Sequence, residues 1–491
     1  MTDAPAEPFD LLIENVTAVL GGEETTQYRI VPDTSIGVRG DRFEWIGTAR
    51  GTPRADEANR PTAIKTIDGS GKIAFPGLIS THNHVFQNLC KGLGDELSFH
   101  PIVEGVILAT AEEMNAEEIY IATLAACAEG VRSGRTTLLD FMVGLPDIEL
   151  QRAVVRGFED SGVRCVLGRA TRELWPTASH RDPWYHPLDE ALEQIRQLAT
   201  EYDNGLPNPS AIPAPGNTST MTTKGLERIV EFVTDSGSQA TIHLAEYEAE
   251  RTEGHERWGM ATIAKLGEIG LLGPHLVAAH TVLVDDAELD ILAETKTQVS
   301  YNPVSNCYIG AGIAPITRML ELGIDVSVAV DGSSVNTQNM LETLKFGALL
   351  QKADMKDPMA LNARDMLHMA TMAGARALGV PDLLGSIQEG RLADFFLFDG
   401  MNLTSAPVHD PISALVYTGG PQSVETVVVG GEVLLEDGKF VKIDEEAVVA
   451  ELQERSLAVA KRANTERFVK GRRLTPFAQL ERARNGHCTV C

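Results

Sequence analysis

Hydrophobic and polar positions change rhythm twice along this chain. From Phe9 to about Gly71 they alternate in short runs (LLIENVTAVL, SIGVRG, FEWIGTA, KTIDGSG) broken by Gly and Asp, which predicts strands joined by tight turns. The same texture returns late, in LADFFLFDG and VETVVVGGEVLLEDGKFV, so both ends of the chain are expected to build one sheet. Between about Ile73 and Gly379, short apolar runs alternate with segments of helical period, the pattern of a parallel α/β fold. Strands are expected at GLISTHNH, TTLLDF, RCVLGRA, SAIPAP, QATIHL, HLVAAH, QVSYNP and DVSVAVD. Helices are expected at AEEIYIATLAACAEGVRSG and at GLERIVEFVTDSG, whose last glycine suits a C-cap. These strand–helix units fit a (β/α)8 TIM barrel, in which chemistry sits at the C-terminal ends of the strands. A doubly wound sheet fits less well, because no Gly-rich phosphate loop follows the first strand. The expected division is 1–72 with 380–445 for the composite β-domain, 73–379 for the barrel, and 446–491 for a helix (EEAVVAELQERSLAVAKRA) and tail.

Composition narrows the function. No run of ~18 apolar residues occurs, so no membrane-spanning helix is expected. The start, MTDAPAEPFD, is acidic rather than basic then apolar, which points away from a secretory signal and towards the cytoplasm. Lys+Arg 42 against Asp+Glu 69 gives a formal charge of -27, which repels nucleic-acid phosphates and anionic membranes. The expected partner is a small molecule. The scattered cysteines Cys90, Cys127, Cys165, Cys307, Cys488 and Cys491 read as free thiols. Cys488 and Cys491, without a second ligand pair, read as a frayed tail rather than a metal site.

The candidate chemistry lies at strand ends. His82 and His84 close the first strand at i, i+2, so both rings leave one face. His243 closes the fifth strand, His280 the sixth and Asp331 the eighth. One histidine at a strand end is usually structural; this set, at four strand ends, is hard to explain as packing. Three imidazoles and a carboxylate suit Zn²⁺ or Fe²⁺ with an open position for water, whose pKa falls towards ~7 on the metal. Glu246, three residues past His243, is placed to carry a proton. It could also be a surface carboxylate of the run EYEAE, in which Glu248 and Glu250 are expected to be solvated.

The segments PGLISTHNH, AEGVRSGRTTLLDF, IHLAE, VAAHTV, YNPVSNCYIGAGIAPITRMLELGIDVSVAVDGSSVN and LGSIQEGRLADFFLFD, spread over about 10 to 440, resemble the amidohydrolase superfamily in order. The resemblance is to its metal-dependent aminohydrolase branch: nucleobase and S-adenosylhomocysteine deaminases and the s-triazine hydrolases. It implies a barrel flanked by a β-sandwich from both termini, and a homodimer or higher homo-oligomer. By the same resemblance His82, His84, His243 and Asp331 hold one divalent metal, zinc before iron. Glu246 shuttles a proton, and His280 orients water or polarises the substrate. Asp331 also accepts the water proton. Binuclear members end the fourth strand with a modified lysine; here Ala211-Ile212-Pro213-Ala214-Pro215 has none, which favours one metal. S-adenosylhomocysteine deaminases carry Pro-His there, where this chain has Pro213-Ala214, which speaks against a nucleoside.

Gln87 falls where related deaminases contact the heterocycle, though an ordinary polar helix residue fits equally. Asn302 and Asn306 could line the pocket, or Asn306 could cap the turn before Gly310. Trp175, Trp184, Tyr185 and His186 could stack on a flat ring or serve packing. The expected reaction is hydrolytic deamination of an amino-substituted N-heteroaromatic ring (purine, pterin, pyrimidine or s-triazine) by metal-activated water. The alternatives are dechlorination or dealkylamination of s-triazines, hydrolysis of linear amides, ureas or carbamates, and a non-catalytic metal-binding protein.

Overall fold

The computed structural model describes residues 7–22, 26–48, 61–143, 146–174, 186–335 and 337–469. Trp175, Trp184, Tyr185, Cys488 and Cys491 lie outside them. The parallel strands fall where the apolar runs place them: Leu78–His84, Arg135–Met142, Arg164–Thr171, Ala211–Pro215, Ala240–Leu244, Leu276–His280 and Gln298–Tyr301. The eighth position is split into Val326–Val328 and Asp331–Gly332. The first three strands are buried along their whole length, at polar and apolar positions alike, as central strands of a covered parallel sheet are.

The ladder of hydrogen bonds runs in two parallel arcs. One orders Asp331–Gly332, then the first to the fourth strands; the other orders the fifth, sixth and seventh strands and Val326–Val328. The split eighth strand joins the arcs at one seam, since Val328 pairs with Tyr301 while Asp331 pairs with Asn83. At the other seam the His243 N–H donates to the Gly216 carbonyl at 3.3 Å.

Helices between the strands carry their own punctuation. Asn115 and Glu118 form a capping box at the start of Ala116–Val131. Thr222 caps Thr223–Ser236, which ends on Gly237 at φ 66° as the sequence suggested. Among the described residues no helix is long and apolar enough to cross a membrane, and Cys90, Cys127, Cys165 and Cys307 are free.

Both termini do build one sheet. Among the described residues it has nine strands, and its two halves meet where Phe395–Asp399 pairs antiparallel with Lys72–Pro76. The boundary expected at 72/73 falls inside this arrangement: sheet pairing extends to Pro76, and the chain enters the first barrel strand directly through Gly77. A Cβ at Gly77 would stand 2.1 Å from Thr136 Oγ1, so the two layers touch too closely there for any other residue.

Phe75 stacks on Phe396 at 5.5 Å and meets Phe398 edge-on at 6.0 Å, filling the contact between sheet and barrel. A buried ion pair crosses the same contact. Arg164, which opens the third barrel strand, binds Asp394 through Nε at 2.9 Å, and Asp394 also accepts the Gly430 N–H at 2.8 Å. Replacing one partner of such a pair strands a buried charge, so Asp394→Ala is expected to lower the unfolding free energy by about 3–5 kcal/mol. Denaturant melts of the two proteins measure it; a loss below about 1 kcal/mol would mean that the aromatic cluster alone holds the sheet.

Candidate metal centre and active site

The strand ends bring the expected residues together. The His82 and His84 rings lie 4.8 Å apart by centroid, and His243 stands 4.8 Å from His82 and 5.3 Å from His84. Asp331 Oδ1 is 3.5 Å from His82 Nε2 and 3.4 Å from His84 Nε2. Two overlapping groups, His82 with His84 and His243, and His82 with His280 and Asp331, have ligand atoms within 4.8 Å of one another. The backbone is strained where it delivers them. His280, Thr281, Asp331 and Ala245 take left-handed φ values of 72°, 47°, 66° and 50°, each costing roughly 1–2 kcal/mol for a non-glycine residue. Strain of this kind collects at functional sites.

Hydrogen bonds on the outer side of the rings set which nitrogen faces inward. His84 Nδ1 pairs with the Phe141 carbonyl and His243 Nδ1 with the Gly216 carbonyl, both at 2.7 Å. A carbonyl only accepts, so each Nδ1 carries the proton and each Nε2 presents a lone pair to the centre. Those two Nε2 atoms are 3.2 Å apart, a contact that two lone pairs do not favour. His82 is fully buried, and neither of its ring nitrogens makes a hydrogen bond among the described residues. A buried polar atom without a partner is costly, and one cation in the centre would take up the lone pairs that His84 and His243 turn on each other together with one of the two ring nitrogens of His82. The donor set fits a divalent metal.

The charge states agree. Burial, then His243, His84 and His280, hold His82 well below the usual imidazole range. Burial and the neighbouring His84 and His280 do the same to His243. His84 is also lowered, by burial against the opposing pull of Asp331. Burial pushes the Asp331 carboxyl up, but His280, His84 and the Ser305 hydroxyl bring it below the ordinary range. Neutral imidazoles around an ionised carboxylate are the forms a metal binds.

Beside the histidines, His280 faces two carboxylates. His280 Nε2 is 3.6 Å from Glu246 Oε1 and 3.9 Å from Asp331 Oδ2. Its Nδ1 donates to Asn306 Oδ1 at 2.8 Å, and the Asn302 amide lies 3.2 Å from the same nitrogen. Glu246 is only 6% exposed. Burial pushes its carboxyl above the ordinary range, with His280 opposing and Asp331 adding.

Several neighbours differ from the sequence reading. Glu248 is exposed as expected, but Glu250 is buried. It is the third residue of the helix Glu248–Trp258 and turns back so that its Oε2 accepts the Glu246 N–H at 3.0 Å. Asn306 does not end a turn: it lies within the helix Pro303–Tyr308, and its amide oxygen is taken by His280. Gln87, in the short 3₁₀ helix Val85–Cys90, accepts the Ser334 hydroxyl and packs on Gly332, where a Cβ would come 1.9 Å from its Oε1. His186 is buried, with Nδ1 against the Arg169 guanidinium.

The sequence reading missed the support behind the centre. Asn83 points away from its flanking histidines, and its Oδ1 accepts from Arg135 at 3.0 Å. Arg135, fully buried, also donates to Gln338 Oε1 at 2.6 Å. Gln338 Nε2 in turn donates to the Asp331 carbonyl at 3.3 Å. Asp140 Oδ1 accepts the Val85 N–H at 2.9 Å, fixing the turn that follows His84, and burial pushes this carboxyl up to about 8. A charged residue opening a wholly buried strand, as Arg135 does, was the available signal.

Similarity to known proteins extends over most of the chain. Residues 73–434 match the Amidohydrolase family. The chain is 32% identical over 415 residues to the 5'-deoxyadenosine deaminase of Methanosarcina mazei, covering 83% of this chain and 91% of that protein. It is 33% identical over 388 residues to the 5-methylthioadenosine/S-adenosylhomocysteine deaminase of Syntrophobacter fumaroxidans, covering 79% and 86%. Among solved structures, an adenosine deaminase from Xanthomonas campestris with bound zinc superposes with a TM-score of 0.84 at 26% identity, over 93% of this chain and 100% of that one. Atrazine chlorohydrolase TrzN from Arthrobacter aurescens, complexed with zinc, superposes with a TM-score of 0.82 at 25% identity, over 91% and 100%. The match runs from the sheet strand Lys72–Pro76 through the barrel into the sheet strand Glu432–Glu436, and the chain belongs to the amidohydrolase family.

Proposed function

We propose that this protein is a metal-dependent hydrolytic deaminase of an amino-substituted N-heteroaromatic ring, an adenine nucleoside before the other ring classes. The observation that carries the reading is the buried pairing of Glu246 with His280 beside the histidine cluster. His82, His84, His243 and Asp331 would hold one metal. Zinc is favoured over iron because two structural neighbours carry zinc, and a single ion because the fourth strand offers no lysine. When bound, the metal supplies a Lewis acid and water acidified enough to attack near neutral pH.

The chain's own residues then move the protons. Asp331 and Glu246 are the bases within reach of the attacking water. Glu246 delivers a proton to the ring nitrogen beside the reacting carbon, then helps to protonate the departing ammonia. Burial suits it to both tasks: a carboxyl raised above its ordinary range takes a proton from the attacking water more readily than an ordinary carboxylate does, and the neutral acid it becomes passes that proton to the ring nitrogen. His280, fixed by Asn306, orients the attack. The sum is water plus a ring C–NH₂ giving a ring carbonyl and ammonia.

The named activities of the sequence relatives favour a nucleoside, and they outweigh the argument from Ala214 because they match over most of the chain. The likeness to atrazine chlorohydrolase favours a second reading, displacement of chloride or alkylamine from an s-triazine.

Metal-loaded protein assayed on adenine nucleosides, free purines, pterins, pyrimidines and chloro- or amino-s-triazines is expected to release ammonia from the nucleosides. Chloride or alkylamine alone would establish the second reading, and release only from linear ureas or amides would contradict both. Glu246→Gln is expected to keep its metal and lose about 10²–10⁴-fold in kcat; wild-type turnover would remove Glu246 from the mechanism. His82→Ala is expected to fold yet lose the rise in Tm that zinc gives the wild type. An unchanged rise would place the metal elsewhere.

A further inference from the structure

Glu250 is 1% exposed, and nothing in the proton transfers above uses it. Its Oε2 accepts the Glu246 N–H at 3.0 Å, and the Ala245 backbone bonds the same carboxyl group. A glutamate at the third position of a helix ordinarily reaches back to the N–H of the capping residue. Here the capping residue is Tyr247, and Glu250 reaches one residue further, to the backbone of Glu246 itself.

The segment it grips is strained and held from both sides. Ala245 takes a left-handed φ of 50°. Its carbonyl accepts the N–H groups of Val282 at 3.0 Å and Leu283 at 2.9 Å, just beyond His280. The turn carrying Glu246 is therefore fixed to the turn carrying His280 on one side and to Glu250 on the other.

Glu250 is itself immobilised. Thr262 Oγ1 donates to its backbone carbonyl at 3.1 Å. A Cβ at Gly254 would stand 2.8 Å from the Thr262 backbone nitrogen, so the helix is seated directly on that segment. Glu250 Oε1 has no hydrogen-bond partner among the described residues, and the group lines a small cavity with Thr262, Asp285 and Glu288. Burial pushes this carboxyl up to about 8. At neutral pH it is therefore mostly uncharged and can sit close to Glu246 without a second negative charge in the site.

We infer that Glu250 is a positioning residue for the acid–base step: by accepting the backbone N–H of Glu246 it holds the left-handed turn that aims the Glu246 carboxylate at His280. The inference rests on the reading of Glu246 as proton carrier. The alternative is a helix-start contact that matters only for folding.

The test compares Glu250→Gln, which keeps an acceptor oxygen, with Glu250→Met, which fills the space without one. Glu246→Gln is the reference. Each metal-loaded protein is measured for kcat, KM, metal content and Tm. Glu250→Met is expected to lose about 10- to 100-fold in kcat, as a misplacement of about 1 Å does, with KM, metal content and Tm near wild type. Glu250→Gln is expected to restore kcat to within about threefold of wild type. Wild-type kcat in Glu250→Met while Glu246→Gln is inactive would overturn the inference and leave the deaminase reading intact. Losses in Glu250→Met that follow Tm or metal content, or an equal loss in Glu250→Gln, would also overturn it. An active Glu246→Gln would instead overturn the reading on which it rests.

Discussion

Everything in this site follows from one unfavourable arrangement: imidazole lone pairs converge at a buried centre with no proton between them. His84 and His243 donate their Nδ1–H groups to carbonyls and turn their Nε2 atoms on each other at 3.2 Å. Neither ring nitrogen of His82 makes a hydrogen bond among the described residues. Left without a counter-charge, such a cluster would open to water or protonate, and burial resists both. A cation resolves it. The arrangement requires a rigid frame around it.

That rigidity comes from the barrel and from polar anchors behind it. Two arcs of parallel strands end on one rim, and the split eighth strand lets Asp331 leave one arc and pair with the first strand beside Asn83. Arg135 ties Asn83 to Gln338, and Gln338 ties back to the Asp331 carbonyl, so the two sides of the centre share one buried guanidinium. The flanking sheet braces the opposite side of the barrel through Phe75, Phe396 and the Arg164–Asp394 pair. Glu246, the proposed proton carrier, is treated in the same manner, with its turn held between Glu250 and the segment past His280.

What the sequence revealed of this depended on the range of each interaction. The strands and their terminal histidines were legible because a short apolar run marks each buried parallel strand, and a histidine at the end of such a run stands out. His82 and His84 share a face because strand periodicity is two, which needs no tertiary information. Glu250 was misread because EYEAE looks like a solvated acidic run until the helix starting at Glu248 gives it a phase and turns its third residue inward. Gln338 was invisible for a different reason: its hydrogen bond to Arg135 spans 203 positions, and although a charged residue opening a buried strand marks Arg135, nothing local marks a partner so distant. The sheet's extent to Pro76 escaped for a similar reason, since it depends on a pairing with Phe395 that only the closed fold creates.

The central claim is that these histidines and Asp331 form a centre for one metal, and X-ray absorption at the zinc edge of the loaded protein tests it most directly. The account predicts one zinc per chain, with imidazole scattering from three histidines and light-atom neighbours at about 2.0–2.2 Å. Sulfur neighbours at about 2.3 Å, or an unchanged spectrum after His82 and His243 are replaced, would place the metal elsewhere and contradict it.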